Sequence, residues 1–329
     1  MELQHDIAVS VVVPIRNGAP FLKDCIGFLK AQTFRNFEVI LVVDSSSNDN
    51  TVEMSKRLLE TLDNSSMIVQ DKGLKLSGNR NIGLDAAHGE AVWFVDVDDA
   101  PSPDFIKDMY GLLTETDSDF VCCNFVNVGV NGVVKEKRNA VYHHKVMDRE
   151  EAFVSRSLDE FPVSAWSKLF RRSFLLEHQL YFKESYAEDI VFTYRCLEKC
   201  NRICIYNRPL YAYRQTPNSI CRNKDNLDLR GTDEIRSYDA ADLICAGDES
   251  ALKRNAIMKI RSSGHMTYRS FINYAKSEKN RESYERYLKG TFEGWWHLHL
   301  STLYWIAIRF YVAVVYKRNG STAMNKKWW

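Results

Sequence analysis

The chain has 329 residues, 45% of them hydrophobic, and a formal net charge of +1. This length is enough for one large or two modest domains with a substantial core. The near-zero charge excludes the basic excess that marks nucleic-acid-binding proteins. The first six residues lack the basic and then apolar pattern of a signal peptide, so we expect a cytoplasmic protein. The eight cysteines include no Cys-x-x-Cys pair, which argues against a zinc site and favours reduced thiols packed in the core.

The first hundred residues alternate short apolar runs with amphipathic segments, which predicts a parallel β-sheet covered by helices. We expect Pro14 to end the first strand and Gly89 to close the third helix. The predicted strands and helices, in chain order, are Val9–Val13, a helix opened by Pro20, Phe37–Val43, helix Thr51–Leu62, Ser66–Gln70, helix Ser77–Ala87 and the strand that begins at Val92.

Polar segments follow three of these strands, at Pro14–Asn17, Asp44–Asp49 and Asp96–Asp99. Ligands of such sheets bind beyond the carboxyl ends of the strands, so the three segments can face one crevice. Asp96, Asp98 and Asp99 repel one another unless a cation lies between them. Oxygen ligands suit Mg²⁺ or Mn²⁺, and Mg²⁺ usually completes its shell with substrate phosphates. We therefore expect a divalent cation that grips a diphosphate, with a solvated acidic turn as the plainer alternative.

The rest of the chain continues with shorter elements. From residue 226 onward the pattern is helical, with many Lys, Arg and Glu side chains. The predicted elements before that point are strand Phe120–Val126, a hairpin at Val130–Val141, a helix near Glu150 capped by Asp148, helix Asp189–Leu197, and strands Arg202–Tyr206 and Leu210–Tyr213.

The order and spacing of several motifs resemble the family 2 glycosyltransferases, which have the GT-A fold. As a set these motifs are specific, although each alone is weak. They are the strand and loop Val9–Asn17, the loop Asp44–Thr51, Arg80-Asn81-x-Gly83, Ala87-x-Gly89-Glu90, Asp96-x-Asp98-Asp99, the run from Trp166 to Arg172, Glu188-Asp189, Tyr211-x-Tyr213-Arg214 and Ser219-Ile220.

The resemblance implies an α/β GT-A fold, a mostly parallel, Rossmann-like sheet flanked by helices, with a C-terminal helical extension. It divides the chain into a nucleotide-sugar-binding half (1–125), an acceptor-binding half (126–225) and a helical region (226–329). It also implies a metal-dependent, inverting hexosyl- or N-acetylhexosaminyl-transferase that uses Mn²⁺ or Mg²⁺. Its donor would be a nucleotide-diphosphate sugar and its acceptor a glycan or lipid-linked hydroxyl, with a role in cell-surface polysaccharide synthesis.

The same resemblance assigns roles to individual residues. The base at the acceptor would be Asp189, with Glu188 in reserve, and Trp166 and Lys168 would flank the acceptor. Asp98, Asp96 and Asp99 would hold the metal and the ribose. The donor would be lined by Pro14, Arg16, Asp44, Ser45, Arg80, Asp96 and Arg214.

Two positions depart from the family pattern. Ser45 stands where the family usually has a second Asp associated with the donor base, so UDP-sugar is the default donor and GDP- and dTDP-sugars stay open. Arg16 stands where Tyr is frequent, and it either contacts a phosphate bidentately or covers the strand end.

The chemistry of sugar transfer is consistent with these roles. Charge builds on the departing diphosphate, where a divalent ion and an arginine would stabilise it; Arg80 is the first candidate and Arg214 the second. A carboxylate must accept the proton of the acceptor hydroxyl. Glu188 and Asp189 fit this task, or they are only a helix-start pair. Trp166 and Lys168 either contact the acceptor or are an ordinary core residue and a surface charge.

The last 35 residues contain five of the seven tryptophans. The run Leu303–Tyr316 is apolar except for Arg309, and it is shorter than the about 20 residues needed to span a bilayer. An interfacial helix on the inner face of the membrane fits this pattern, and so does a helix packed on the domain or on a partner subunit.

Three other functions are compatible with parts of the pattern. A catalytically silent glycan-binding or scaffold subunit would share the fold, but it would not need all the acids. A sugar nucleotidyltransferase needs a Gly-rich loop after the first strand, where Arg16–Ala19 has a single glycine. A phosphatase with an Asp-x-Asp nucleophile would place those acids on the first strand.

Overall fold

The computed structural model describes residues 7–71, 73–129, 142–157, 160–185, 187–216 and 227–245, together with Leu252 and Asn255. The chain divides into two compact units, Met1–Pro217 and Asn218–Trp329. The hairpin predicted at Val130–Val141 and the aromatic segment Leu303–Trp329 lie outside the described residues. None of the described helices is long and apolar enough to cross a bilayer.

The first unit is a nine-stranded mixed sheet flanked by helices. The strands follow the spatial order β3-β2-β1-β4-β8-β6-β9-β5, and β7 pairs with β9. The strands are β1 Val9–Ile15, β2 Phe37–Asp44, β3 Ser65–Gln70, β4 Ala91–Phe94, β5 Ala100–Pro101, β6 Phe120–Val128, β7 His144–Asp148, β8 Lys168–Arg171 and β9 Arg202–Arg214. The helices are α1 Ala19–Lys30, α2 Thr51–Leu59, α3 Leu76–Asp85, α4 Phe105–Glu115, α5 Arg149–Ser157, α6 Arg172–Glu177 and α7 Glu188–Lys199. The second unit contains α8, Leu227–Ile244.

The predicted α/β sheet is confirmed, and its first four strands are parallel. The sheet is mixed rather than mostly parallel, because β8 runs antiparallel to both β4 and β6. Strands β1 and β2 are buried along their whole length. Strands covered on both faces read as continuous apolar runs, which is why they were readily predicted.

Pro14 does not end β1, which continues to Ile15. The Val12 carbonyl accepts a hydrogen bond from the Val95 N–H, so the backbone polar groups of Val12 point towards β4. Those of Pro14, two residues later, point to the same side. The last β1–β4 pair is Val12 with Phe94. The missing N–H of Pro14 therefore falls beyond the paired part of β4.

Gly89 does not close α3, which ends at Asp85. A Cβ on Gly89 would lie 2.6 Å from the Ser10 nitrogen and 2.7 Å from the Val9 carbonyl carbon. The glycine is therefore required by its close approach to the backbone of β1 and not by a helix end.

Three further predictions concern the second half of the sheet and the thiols. The two strands predicted at 202–206 and 210–213 form one strand, β9, in which Pro209 pairs with Asn124 of β6 between two register shifts. The Asp148 cap is confirmed, since its Oδ1 accepts from the Glu151 N–H at 2.9 Å. The seven described cysteines are buried, as expected for thiols packed in the core.

Candidate active site

The carboxyl ends of β1, β2 and β4 meet at one edge of the sheet, because these neighbouring strands are parallel. The loop after β1 is hydrogen-bonded to the loop after β2. Asn17 has a left-handed φ of 51°, and its Oδ1 accepts from the Asn48 N–H at 2.9 Å. The Gly18 and Ala19 N–H groups donate to the Thr51 hydroxyl oxygen at 2.8 and 3.0 Å. Two of the three predicted segments are thus joined without a ligand.

The third segment, the acidic turn Asp96–Asp99, contacts the same loop. A Cβ on Gly18 would lie 3.3 Å from Val97 Cγ1. Burial of Cys25 in α1, together with the nearby charges of Asp99 and Asp98, raises the pKa of its thiol to about 12. The convergence predicted from the strand ends is therefore present.

The three acids of this turn have different partners. Asp99 is buried and its Oδ1 accepts from the Arg214 N–H at 2.8 Å. Asp98 is half-buried and its Oδ2 accepts from the Thr216 hydroxyl at 3.0 Å. Asp96 forms an ion pair with Arg80 at 2.9 Å. Burial and mutual repulsion raise the pKa of Asp96, and raise that of Asp99 further above its ordinary value.

Arg80 connects this turn to a second pair of acids. It is 1% exposed, and its guanidinium donates to Asp96 Oδ1, to Glu188 Oε1 at 2.7 Å and to Asp189 Oδ1 at 2.8 Å. Its Cζ lies 5.1 Å from the ring centroid of Phe182. Arg80 thus binds three carboxylates of the protein, and its expected contact with the donor stays a prediction.

Glu188 and Asp189 begin α7, as predicted, but their surroundings differ. Glu188 is buried, and burial together with the Asp189 charge raises its pKa to about 7. The Asp189 side chain is 18% exposed. Its Oδ2 accepts from the Ala165 N–H at 3.1 Å, so both of its oxygens have a donor. Of the pair, Asp189 is the carboxylate that retains access to solvent and a fixed orientation.

Trp166 and Lys168 do not present free side chains to an acceptor. Trp166 is 7% exposed and stacks on Tyr211 with ring centroids 4.5 Å apart and on Tyr213 at 5.5 Å. Lys168 is fully buried, and burial lowers its pKa. Lys168 is therefore not a surface charge, and Trp166 packs in the core; an acceptor contact of either residue stays a prediction.

The remaining predicted donor residues are distributed along the same edge. Pro14 is buried within β1, Asp44 is 2% exposed at the end of β2, and its Oδ1 accepts from the Ser46 N–H at 2.9 Å. Arg16 and Ser45 are exposed. Arg214 forms an ion pair with Asp24 of α1 at 3.0 Å, with its Cζ 5.3 Å from the Phe28 ring centroid.

The acids of the turn supply only part of the ligand set that a metal ion needs. Among the described residues, no group of three or more His, Cys, Asp or Glu side chains is arranged to hold one. Asp96 is bound to Arg80, and Asp99 is buried against β9. Asp98 is half-buried, and the one hydrogen bond that its carboxylate accepts from a described residue is that of Thr216. One carboxylate fits a Mg²⁺- or Mn²⁺-type ion that takes its other ligands from substrate phosphates and water.

Two residues of the site were missed in the sequence. The Tyr211 hydroxyl oxygen accepts a hydrogen bond from the Asp96 N–H at 3.4 Å. Burial and the charge of the neighbouring Asp99 raise the pKa of this tyrosine. Thr216 holds Asp98. Tyr211 lies in a motif and could have been proposed from it, whereas no local signal marks Thr216.

Comparisons with known proteins match the sequence of this chain to a family and to named relatives. The model of the family described as Glycosyl transferase family 2 matches residues 10–178, a little over half of the chain. The putative glycosyltransferase EpsH of Bacillus subtilis is 30% identical over 221 residues, covering 65% of this chain and 62% of EpsH. Glycosyltransferase GlyA of Streptococcus pneumoniae is 27% identical over 230 residues, covering 66% of this chain and 32% of GlyA. The chain thus spans less than two thirds of the length of these relatives.

Solved structures show the same fold. Residues 1–349 of Staphylococcus aureus TarS in complex with UDP-GlcNAc align with a TM-score of 0.64 and 20% identity, covering 95% of this chain and 92% of that one. The mannosyltransferase PcManGT of Pyrobaculum calidifontis, in complex with GDP-Man and Mn²⁺, aligns with a TM-score of 0.53 and 17% identity, covering 95% and 87%. At these identities the likeness shows the GT-A fold alone.

Proposed function

Because the chain belongs to glycosyl transferase family 2, we propose that it moves a hexosyl or N-acetylhexosaminyl group from a nucleotide-diphosphate sugar to a hydroxyl of a glycan or lipid-linked acceptor, with inversion at the anomeric carbon. UDP-sugar is the default donor, and GDP- and dTDP-sugars are the alternatives raised by Ser45. The relatives that are named glycosyltransferases support the reaction class. A role in cell-surface polysaccharide synthesis, in the cytoplasm or on the inner face of the membrane, belongs to the same proposal.

The proposal depends most on one observation, the guanidinium of Arg80. It joins Asp96, which follows β4, to Glu188 and Asp189 at the start of α7. The carboxylates assigned to the donor and those assigned to the acceptor therefore lie around a single buried side chain. An inverting displacement needs this closeness, because the attacking hydroxyl and the leaving phosphate oxygen lie on opposite sides of one carbon atom.

Within this arrangement Asp189 is the base that accepts the proton of the acceptor hydroxyl. Arg80 and the Ala165 N–H fix the plane of its carboxylate, and each carboxylate oxygen retains a second lone-pair site. Glu188 is less suited to this task, because burial favours its neutral form up to a pH of about 7. Because Arg80 is 1% exposed and pairs with three carboxylates, we assign it to orienting the base and not to the diphosphate.

Asp98 is the proposed ligand of a divalent cation, with Asp96 and Asp99 shaping the turn around it. When bound, a divalent cation would supply positive charge to the departing diphosphate. Arg16, which is exposed at the end of β1, and Arg214 are the other candidates for a phosphate contact.

The role of Asp189 is tested by Asp189→Asn, with Glu188→Gln as the matched control. We expect Asp189→Asn to bind the donor with unchanged affinity and to lose transfer by about 10²-fold or more. Glu188→Gln should retain most of the turnover, since its neutral side chain mimics the protonated acid. For both variants, calorimetry measures the donor affinity and steady-state kinetics measures the turnover number at saturating donor. Normal turnover in Asp189→Asn would refute the assignment.

The role of Asp98 is tested by Asp98→Asn, compared with Asp117→Asn at the opposite edge of the sheet. We expect the Mn²⁺-dependent part of nucleotide affinity to disappear in Asp98→Asn and to persist in Asp117→Asn. Thermal shifts with UDP-, GDP- and dTDP-sugars, each with and without Mn²⁺, would also identify the base. A wild-type protein that neither binds nor hydrolyses any of these donors would favour the silent scaffold subunit instead.

A further inference from the structure

Lys168 is fully buried at the start of β8, yet no carboxylate among the described residues accepts a hydrogen bond from it. Its Nζ donates to the backbone carbonyl oxygens of Pro162 at 2.6 Å and Ser164 at 2.7 Å. Burying an ammonium group is costly unless hydrogen bonds compensate it. Both compensating acceptors belong to one short segment, so the ammonium fixes the path of the backbone there.

This segment, Pro162–Ala165, is held at three successive carbonyl groups. The middle one, of Val163, accepts from the Thr193 hydroxyl of α7 at 2.6 Å. The segment ends at the Ala165 N–H that donates to Asp189 Oδ2. Lys168 and the proposed base are therefore connected through one short backbone segment.

We propose that Lys168 is a positioning residue, which orients the Asp189 carboxylate by fixing the segment that presents the Ala165 N–H to it. The inference rests on the proposed role of Asp189 as the base. One oxygen of Asp189 is held by Arg80 from α3. The other is held only by this N–H among the described residues, so the plane of the carboxylate depends on the segment. A displacement of about 1 Å at a reacting group can cost about 10²-fold in rate.

The experiment uses Lys168→Met, which keeps the length and bulk of the side chain and removes its three donors. We expect the turnover number to fall about 10-fold or more, with donor affinity changed by less than about 2-fold. Ser10→Ala is the matched control, because it removes a buried hydroxyl that bonds Glu38 at the amino end of β1. Its turnover number should equal that of the wild type when both are assayed well below their unfolding temperatures.

A double variant separates positioning from general loss of structure. If Lys168 acts through Asp189, then Lys168→Met should not lower the residual rate of Asp189→Asn any further. If Lys168→Met does not fold, Thr193→Val tests the same segment, with a fall in turnover of about 3-fold or more that also disappears in the Asp189→Asn background.

Each outcome decides the question. A wild-type turnover number in Lys168→Met, beside an inactive Asp189→Asn, would overturn this inference and leave the proposed function intact. A full additive loss in the double variant would also overturn it. A fully active Asp189→Asn would instead refute the proposed function, on which the inference rests.

Discussion

At the scale of single residues, Arg80 organises the site, because its three carboxylate partners are brought together only by folding. They are separated from it by 16, 108 and 109 residues in the chain. A buried guanidinium is stabilised by such pairs, and removing it leaves several acids without a counter-charge. The motif around Arg80 predicted its helix and its closeness to the strand ends. The identity of its partners could not be predicted, because it depends on contacts with α7.

Arg80→Lys tests whether this residue serves the base or the donor. Lysine keeps the charge but not the planar fork that reaches three carboxylates. We expect the turnover number at saturating donor to fall about 10- to 100-fold, with donor affinity nearly unchanged, as measured by steady-state kinetics and calorimetry. Arg171→Lys is the matched control, since its pairs with Glu90 and Asp117 are more exposed and worth less than about 1 kcal/mol. Lost donor affinity with preserved turnover would return Arg80 to the diphosphate.

At the scale of elements, the packing of α3 against β1 fixes where Arg80 emerges. Gly83 lies one turn after Arg80, and a Cβ on it would lie 2.1 Å from Val12 Cγ1. The helix can therefore approach the central strand only because this position lacks a side chain. Strand and helix types were predictable here from apolar periodicity. Their ends were not, since Pro14 and Gly89 are explained by neighbours in the sheet.

Gly83→Ala should destabilise the protein by about 1–3 kcal/mol, because the clash outweighs the gain in helix propensity of about 1 kcal/mol. Gly27→Ala is the matched control: Gly27 lies in α1 with nothing within 4 Å of its Cβ position, so it should be neutral or stabilising by up to about 1 kcal/mol. Urea unfolding of both variants gives the comparison. Equal effects of the two substitutions would mean that α3 does not pack as closely as described.

At the scale of the whole molecule, burial of acids links stability to pH. The pKa of Glu188 is raised by burial and by Asp189 from 4.5 to about 7. The folded protein therefore keeps a proton that the unfolded chain has already lost between these values. This contribution to stability is fully present below about pH 4.5 and is lost as the pH rises towards 7.

Glu188→Gln should remove this dependence, since glutamine does not titrate. We expect the free energy of unfolding of Glu188→Gln, relative to the wild type, to rise by on the order of 2 kcal/mol between pH 4.5 and 7. Urea unfolding at a series of pH values measures the difference, and the exposed Glu53→Gln controls for loss of a charge. A difference that stays constant with pH would mean that Glu188 is ionised in the folded protein.

The site also extends beyond the family match, which ends at residue 178. Glu188 and Asp189 lie after that point, and so do Tyr211, Arg214 and Thr216, which hold the turn that carries Asp98. Strand β9 supplies Tyr211 and Arg214, and Thr216 follows two residues after its end. A chimera of two relatives should therefore cross over after Pro217, because an earlier junction would take the proposed cation turn from one parent and the residues that hold it from the other.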